Sequence, residues 1–184
     1  MPRGDSGPDR IVACALRLFA QHGVAGTSLQ MIATELGVTK AAVYYHFRTK
    51  EQIVSTVLAP AFDEFDRLLD QVEGSAPAAD RPALLVDGLA RQAARHRRLY
   101  AVVLRDVSAA QFMRESSAHL RTFTRLRATL AGDRPTSRTE VAVSIFLAGL
   151  MGPPIDPELA DLADGELEDA IATAGRSLLG LPRR

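Results

Sequence analysis

Between Thr27 and Lys50 the chain gathers side chains suited to grip a phosphate backbone and to touch base edges. The hydroxyls of Thr27, Ser28, Tyr44 and Tyr45 and the ammonium of Lys50 can donate to phosphate oxygens. Such contacts fix register on a duplex without reporting its sequence. Lys40 can donate to guanine acceptors, and the small Ala41 and Ala42 allow close backbone approach and contact with thymine methyls. Of the 22 lysines and arginines, only Lys40 and Lys50 are lysines, and both fall in this stretch. The dull alternatives are a half-buried packing role for Tyr44 and Tyr45 and a solvated charge at Lys50.

Helices must carry these groups, because strand signals are nearly absent and apolar spacing of three and four recurs along the chain. Ile11, Ala15, Leu18 and Phe19 form one face of a first helix, opening near Pro8-Asp9 and stopping at Gly23. Leu29, Ile32, Ala33 and Leu36 form a short second face. Thr27 and Gln30 have capping-box spacing at its start, free amides near Thr27–Leu29 offer an anion site, and Gly37 supplies a left-handed stop. A third helix starts near Thr39, with Val43 and Phe47 inward and Lys40, Ala41, Tyr44 and Tyr45 outward. A second capping-box spacing, Thr49 to Gln52, opens a long helix through Ile53, Val57, Phe65, Leu68 and Val72. Two short helices about a glycine turn, braced by a third, suit the roughly 12 Å wide major groove of DNA.

Gly26-Thr27-Ser28, Ile32-Ala33, Leu36-Gly37-Val38-Thr39-Lys40 and Val43-Tyr44-Tyr45-His46-Phe47, followed by Lys50-Glu51, closely resemble the tetracycline-repressor (TetR) family. The match covers about the first 55 residues; beyond it the likeness is one of helix number, order and length. The resemblance implies an all-α chain of about nine helices. Residues 1–50 would form a helix-turn-helix DNA-binding domain, and residues 51–184 a helical ligand-binding and dimerisation domain. It further implies a homodimer on a palindromic double-stranded operator, released by a small-molecule effector. Carried over by position, Gln30, Lys40, Ala41, Ala42 and Tyr44 lie where family members touch bases. Thr27, Ser28, Tyr45, His46 and Lys50 lie where they touch phosphates, and Thr39 joins the DNA-binding set. His46 could equally serve packing or capping. With alanine at 41 and 42, base discrimination rests on Lys40, Gln30 and Tyr44.

Past the long helix, Gly74 to Pro82 reads as a loop, followed by helices near 82–96, 98–106, 108–131, 137–151 and 157–179. Small residues at three- and four-residue steps, Ala160, Ala163, Leu167, Ala170 and Ala174, suggest a close helix seam. Val141, Ile145, Ala148 and Gly149 give a second face, and together they predict an intersubunit four-helix bundle. Packing within one subunit is the plainer alternative. Gly152-Pro153-Pro154 must interrupt helix, and Pro60 predicts a bend or break inside the long one. That bend could set the reader's angle or be a local kink. The acids from Asp156 to Asp169 read as a solvated face, repelled by DNA phosphates. Pocket candidates are Leu85, Leu89, Tyr100, Val103, Leu104, Phe112, Phe123 and Ile145, all equally explained as core. Arg91, Arg95, Arg97, Arg98 and Arg105 could hold an anionic headgroup, though arginines on helices usually lie at the surface.

The 184 residues carry zero formal net charge and 47% hydrophobic side chains, enough for a sizeable core and unlike a wholesale polyanion binder. Cys14, the single cysteine, stands one turn from Leu18 in an apolar stripe and is expected to be buried. It admits no intramolecular disulfide and no cysteine zinc site. His96 and His119 lack carboxylates at ligand spacing, so neither a metal nor a cofactor is expected. No secretory signal precedes Ile11 and no apolar run approaches the ~20 residues of a membrane span, so a cytoplasmic location without membrane partners is expected. The rivals are a helical enzyme or small-molecule carrier with a vestigial reader, an activator without ligand, and a nonspecific architectural protein. No catalytic motif gives the enzyme reading a specific basis.

Overall fold

The computed structural model describes residues 7–97, 99–100 and 117–182, and all their regular structure is helical. Two compact units divide the chain, the first running to Pro60 and the second taking up at Ala61. In the first, α1 (Gly7–Gly26), α2 (Leu29–Leu36), α3 (Lys40–His46) and the opening of α4 (Lys50–Ser75) carry the apolar faces of the sequence pattern. Ile11, Cys14, Ala15, Leu18, Phe19, Ile32, Ala33, Val43, Ile53 and Leu58 are buried. Regular helix does fail at Gly23, whose φ of 71° and ψ of 165° kink α1 before a last short piece. Cys14 has no exposure, and burial pushes its thiol pKa up, away from the reactive thiolate.

Three local expectations are corrected. Thr27 is not the cap of α2: Ser28 is, its Oγ accepting from the Met31 amide at 3.1 Å. Thr27 is buried instead, and its hydroxyl donates to the Gly23 carbonyl at 2.8 Å, tying off the chain where the kink frees a backbone acceptor. At α4, Thr49 accepts from the Gln52 amide as its spacing predicts, but Gln52 reaches back to the Arg48 amide, one residue before the cap. Pro60 does not break α4, which runs on to Ser75. The proline removes one amide donor, and Thr56, one turn earlier, is exposed, so water can satisfy the carbonyl left over.

In the second unit, the rest of α4 is joined by α5 (Arg81–Arg95), α6 (Ser117–Ala131), α7 (Ser137–Gly149), the four-residue α8 (Gly152–Ile155) and α9 (Asp164–Leu179). The expected helix 98–106 and the start of the one expected at 108 fall mainly outside the described residues. Helix does stop before Gly152, but Pro153 and Pro154 then sit in the first turn of α8, where missing amides cost nothing. The helix expected at 157–179 is really a 3₁₀ turn, Pro157–Leu159, followed by α9 from Asp164. Arg97 donates to the Leu162 carbonyl at 2.8 Å, and Glu166 accepts from the Ala163 amide at 3.1 Å. Side chains thus cap the chain where a continuous helix would have bonded to itself.

Gly175 of α9 faces Phe146 and Val86 so closely that a Cβ there would meet the Phe146 ring. Beside it, Arg176 and Asp87 form a buried two-pronged ion pair, with bonds of 2.8 and 2.6 Å. A third Arg176 nitrogen donates to the Pro182 carbonyl at 2.8 Å. Helices α4 and α6 are clamped by Arg125, which pairs with Asp70 and Glu73 at 2.8 Å each, while Thr129 donates to Glu73 at 3.0 Å. Arg125 holds the Glu73 carboxyl below its ordinary pKa. A group so depressed stabilises the fold above its unfolded pKa, ~4.3, and loses that contribution as pH falls through its folded value. Arg125→Gln should therefore lower stability by about 1 kcal/mol at pH 7, a modest figure because the pair is partly exposed. In urea titrations the gap to the parent should shrink steadily below about pH 4. A gap constant from pH 7 to pH 3 would mean that packing alone is involved.

Candidate nucleic-acid interface

The third helix is short because its ends are fixed. Thr39 caps its start, Oγ1 accepting from the Ala42 amide at 3.2 Å, and Phe47 closes it, its amide bonded to the Val43 carbonyl at 2.9 Å. Val43 is fully buried and Phe47 is 7% exposed, so these two anchor the helix. Burying Val43 contributes about 1.5–3 kcal/mol. The turn from α2 is set by Gly37 at φ 67°, whose amide reaches the Ala33 and Thr34 carbonyls. A side chain there would meet no neighbour, so glycine is needed for its backbone conformation alone.

With that anchor down, Lys40, Ala41, Tyr44 and Tyr45 all face outward. Tyr44 is 42% exposed and Tyr45 is 85% exposed, a poor fit to a packing role for either. The Lys40 ammonium lies 5.3 Å from the centre of the Tyr44 ring, a cation–π contact that pre-positions both at the start of the helix. His46 meets the edge of Tyr45, ring centres 5.0 Å apart. Ala42 and His46 turn toward α1, where with Gly7, Arg10, Ile11, Leu36 and Val38 they border an apolar notch of about 100 Å³. On α2, Ser28 and Gln30 are exposed, and the Gln30 amide lies 3.4 Å from the Thr34 hydroxyl. Ser28 and Thr39 use their oxygens as caps, which leaves each hydroxyl proton available to an outside acceptor.

Two residues expected at phosphates do other work. Thr27 is only 2% exposed, so its hydroxyl is out of reach. The Lys50 ammonium donates to the carbonyls of Ala25 at 3.2 Å and Thr27 at 3.1 Å. It satisfies acceptors left at the end of α1, where a cation is favoured, and so pins α4 to the turn leading into α2.

Elsewhere the structure redistributes the sequence's candidates. Leu85 and Leu89 are wholly buried, Tyr100 is 6% exposed and Phe123 is half-buried. Ile145 is 54% exposed and so does not line the interior; Val103, Leu104 and Phe112 fall outside the described residues. Val141, Ile145, Ala148 and Gly149 form an exposed stripe on α7. The seam placed on the last helix is corrected. Ala160 and Ala163 precede α9 and Leu167 is buried within the subunit, while Ala170 and Ala174 are exposed in line with Leu178.

The acidic run is not a purely solvated face: Glu168 pairs with Arg91 at 3.2 Å and Asp164 with Arg97 at 3.1 Å. Arg98 and Arg105 fall outside the described residues. His96 does have a carboxylate, Glu64 at 2.8 Å, 32 positions away and invisible to local spacing. The buried Asp87–Arg176 pair was also missed, since each residue reads alone as an ordinary surface charge. No metal-binding cluster and no helix long and apolar enough to cross a membrane occur among the described residues.

Known proteins agree with this geometry. Residues 11–57 match the model of the bacterial regulatory proteins of the tetR family. AcrR of Shigella flexneri, an HTH-type transcriptional regulator, is 49% identical over 47 residues, 26% of this chain and 22% of AcrR. IcaR of Staphylococcus aureus, a negative transcriptional regulator of the biofilm operon icaADBC, is 34% identical over 61 residues, 33% of each chain. The chain thus spans a third or less of these curated relatives in the matched region. Mycobacterium smegmatis AmtR superposes with a TM-score of 0.71 at 26% identity, covering 100% of this chain and 90% of AmtR. Residues 11–57 thus carry the DNA-binding segment of the tetR family, and the fold as a whole is similar to that of AmtR.

Proposed function

We propose that the protein is a homodimeric repressor that binds a palindromic operator and is released by a small-molecule effector. The observation that carries the reading is the outer side of α3, where Lys40, Ala41, Tyr44 and Tyr45 stand clear of a buried Val43 and Phe47. A helix so mounted can enter the major groove and present its first residues to base edges. Lys40, Gln30 and Tyr44 discriminate bases, Ala41 and Ala42 contact thymine methyls, and Ser28, Thr39, Tyr45 and His46 hold phosphates. Residues 1–50 form the reader, with Thr27 and Lys50 bracing it from within.

Residues 51–184 supply dimerisation and effector binding. The exposed stripes of α7 and α9 support a bundle between subunits, since apolar surface at Val141, Ile145 and Leu178 stabilises when covered. The buried Tyr100 hydroxyl has no hydrogen-bond partner among the described residues, which supports a ligand-binding role near it and Phe123. Repression is the direction named for IcaR.

Selection from a randomised duplex pool, followed by competition between selected and random duplexes at fixed salt, tests the reading. Recovery of a two-fold symmetric motif bound at least a hundredfold more tightly than random duplex is expected, within the range of specific regulators. Equal affinity for all sequences, with salt alone controlling it, would mark a nonspecific architectural protein.

A further inference from the structure

A groove of about 210 Å³ opens between α4 and α5, lined by Glu64, Arg67, Leu68, Gln71, Gly88, Arg91, Gln92 and Arg95. Gly88 lets Leu68 lie against the α5 backbone, where a Cβ would collide with the Leu68 side chain, so the floor is apolar. Three guanidinium groups surround that floor, and none is fully engaged. Arg67 gives its Nε to the carbonyl of Asp63 on its own helix. Arg91 gives its Nε to Glu168, and the Arg95 contact with Glu64 is a long 3.9 Å. Among the described residues, the terminal nitrogens of Arg67 and Arg91 make no hydrogen bond. The one carboxylate in the lining, Glu64, is already bonded to His96 at 2.8 Å.

We propose that this groove is a binding site for a small organic anion, whose carboxylate or phosphate is clasped by Arg67, Arg91 and Arg95 while its carbon skeleton lies over Leu68 and Gly88. Planar guanidinium forks suit both headgroups, and the shared chemistry is a charge-assisted, often bidentate, hydrogen bond. The volume is below the 300–1,000 Å³ typical of enclosed drug-sized pockets, so a compact ligand or one headgroup fits. The site differs from the Tyr100 and Phe123 region assigned to the effector and does not depend on that assignment. An anion here would bridge α4 to α5.

Calorimetric titration of the full chain with phenyl phosphate, benzoate and the neutral benzyl alcohol tests the proposal. Saturable binding of at least one anion, with none of benzyl alcohol, is expected. Arg67→Gln with Arg91→Gln should weaken that binding at least tenfold, while the ligand-free melting midpoint falls only by what the partly exposed Arg91–Glu168 pair contributes. Preference for phenyl phosphate over benzoate, or the reverse, identifies the headgroup. Absence of binding by either anion, or binding that the double variant retains, overturns the site. Operator affinity measured with and without the anion separates the two proposals: an anion that binds without altering it leaves the groove standing and counts against its acting as the releasing effector.

Discussion

Arg176→Ala should be strongly destabilising, lowering the free energy of unfolding by roughly 3–5 kcal/mol. Asp87 is 9% exposed and accepts two close hydrogen bonds from this one guanidinium, so removing Arg176 takes away the countercharge that faces a buried carboxylate. The Pro182 carbonyl loses its donor as well. Breaking such a pair costs much more than the pair contributes net, because the surviving charge keeps its desolvation penalty. Replacing both partners by apolar residues of similar volume removes that penalty. Asp87→Leu combined with Arg176→Met should therefore recover at least half of the loss in urea-unfolding midpoints. A double variant as unstable as Arg176→Ala would show that the pair positions α5 and α9 in a way that apolar contacts cannot replace.

If the proposed homodimer forms through α7, Ile145→Asp should separate its subunits with little effect on the fold of each. The residue is 54% exposed on α7, beside Val141 at 58%. A carboxylate there is harmless in a lone chain, where surface changes usually fall within about 0.5 kcal/mol. In a bundle between subunits it would be buried without a partner. Light scattering should show the mass of one chain rather than two. Operator affinity should fall by about a hundredfold or more, the gain that joining two half-site readers provides. A dimer that survives both Ile145→Asp and Val141→Asp would place the interface elsewhere.

What could be read from the sequence divides along physical lines. Periodicity placed α1 to α5 well, because each has a continuous apolar face and a local stop signal such as Gly37. The outward set on α3 followed from the inward pair Val43 and Phe47, which requires only the geometry of one helix. Interactions between distant segments were illegible. Thr27 and Lys50 have the chemistry of phosphate ligands, and only the kink at Gly23 and the fold of α4 against that turn assign them to backbone carbonyls. Likewise Arg91 and Glu168, 77 positions apart, are separate charge clusters on paper and one ion pair in space. The start of α9 was misplaced for the same reason: spacing carried the alanine pattern back to Ala160, while Arg97 and Glu166 hold that stretch outside the helix.

The account depends on the exposed side of α3 reading bases, and repeating the duplex selection with Lys40→Ala tests that most directly. The predicted result is a motif changed at one matching position in each half-site, with about 1–3 kcal/mol of discrimination lost there and the other positions kept. An unchanged motif, bound uniformly more weakly or equally well, would contradict it.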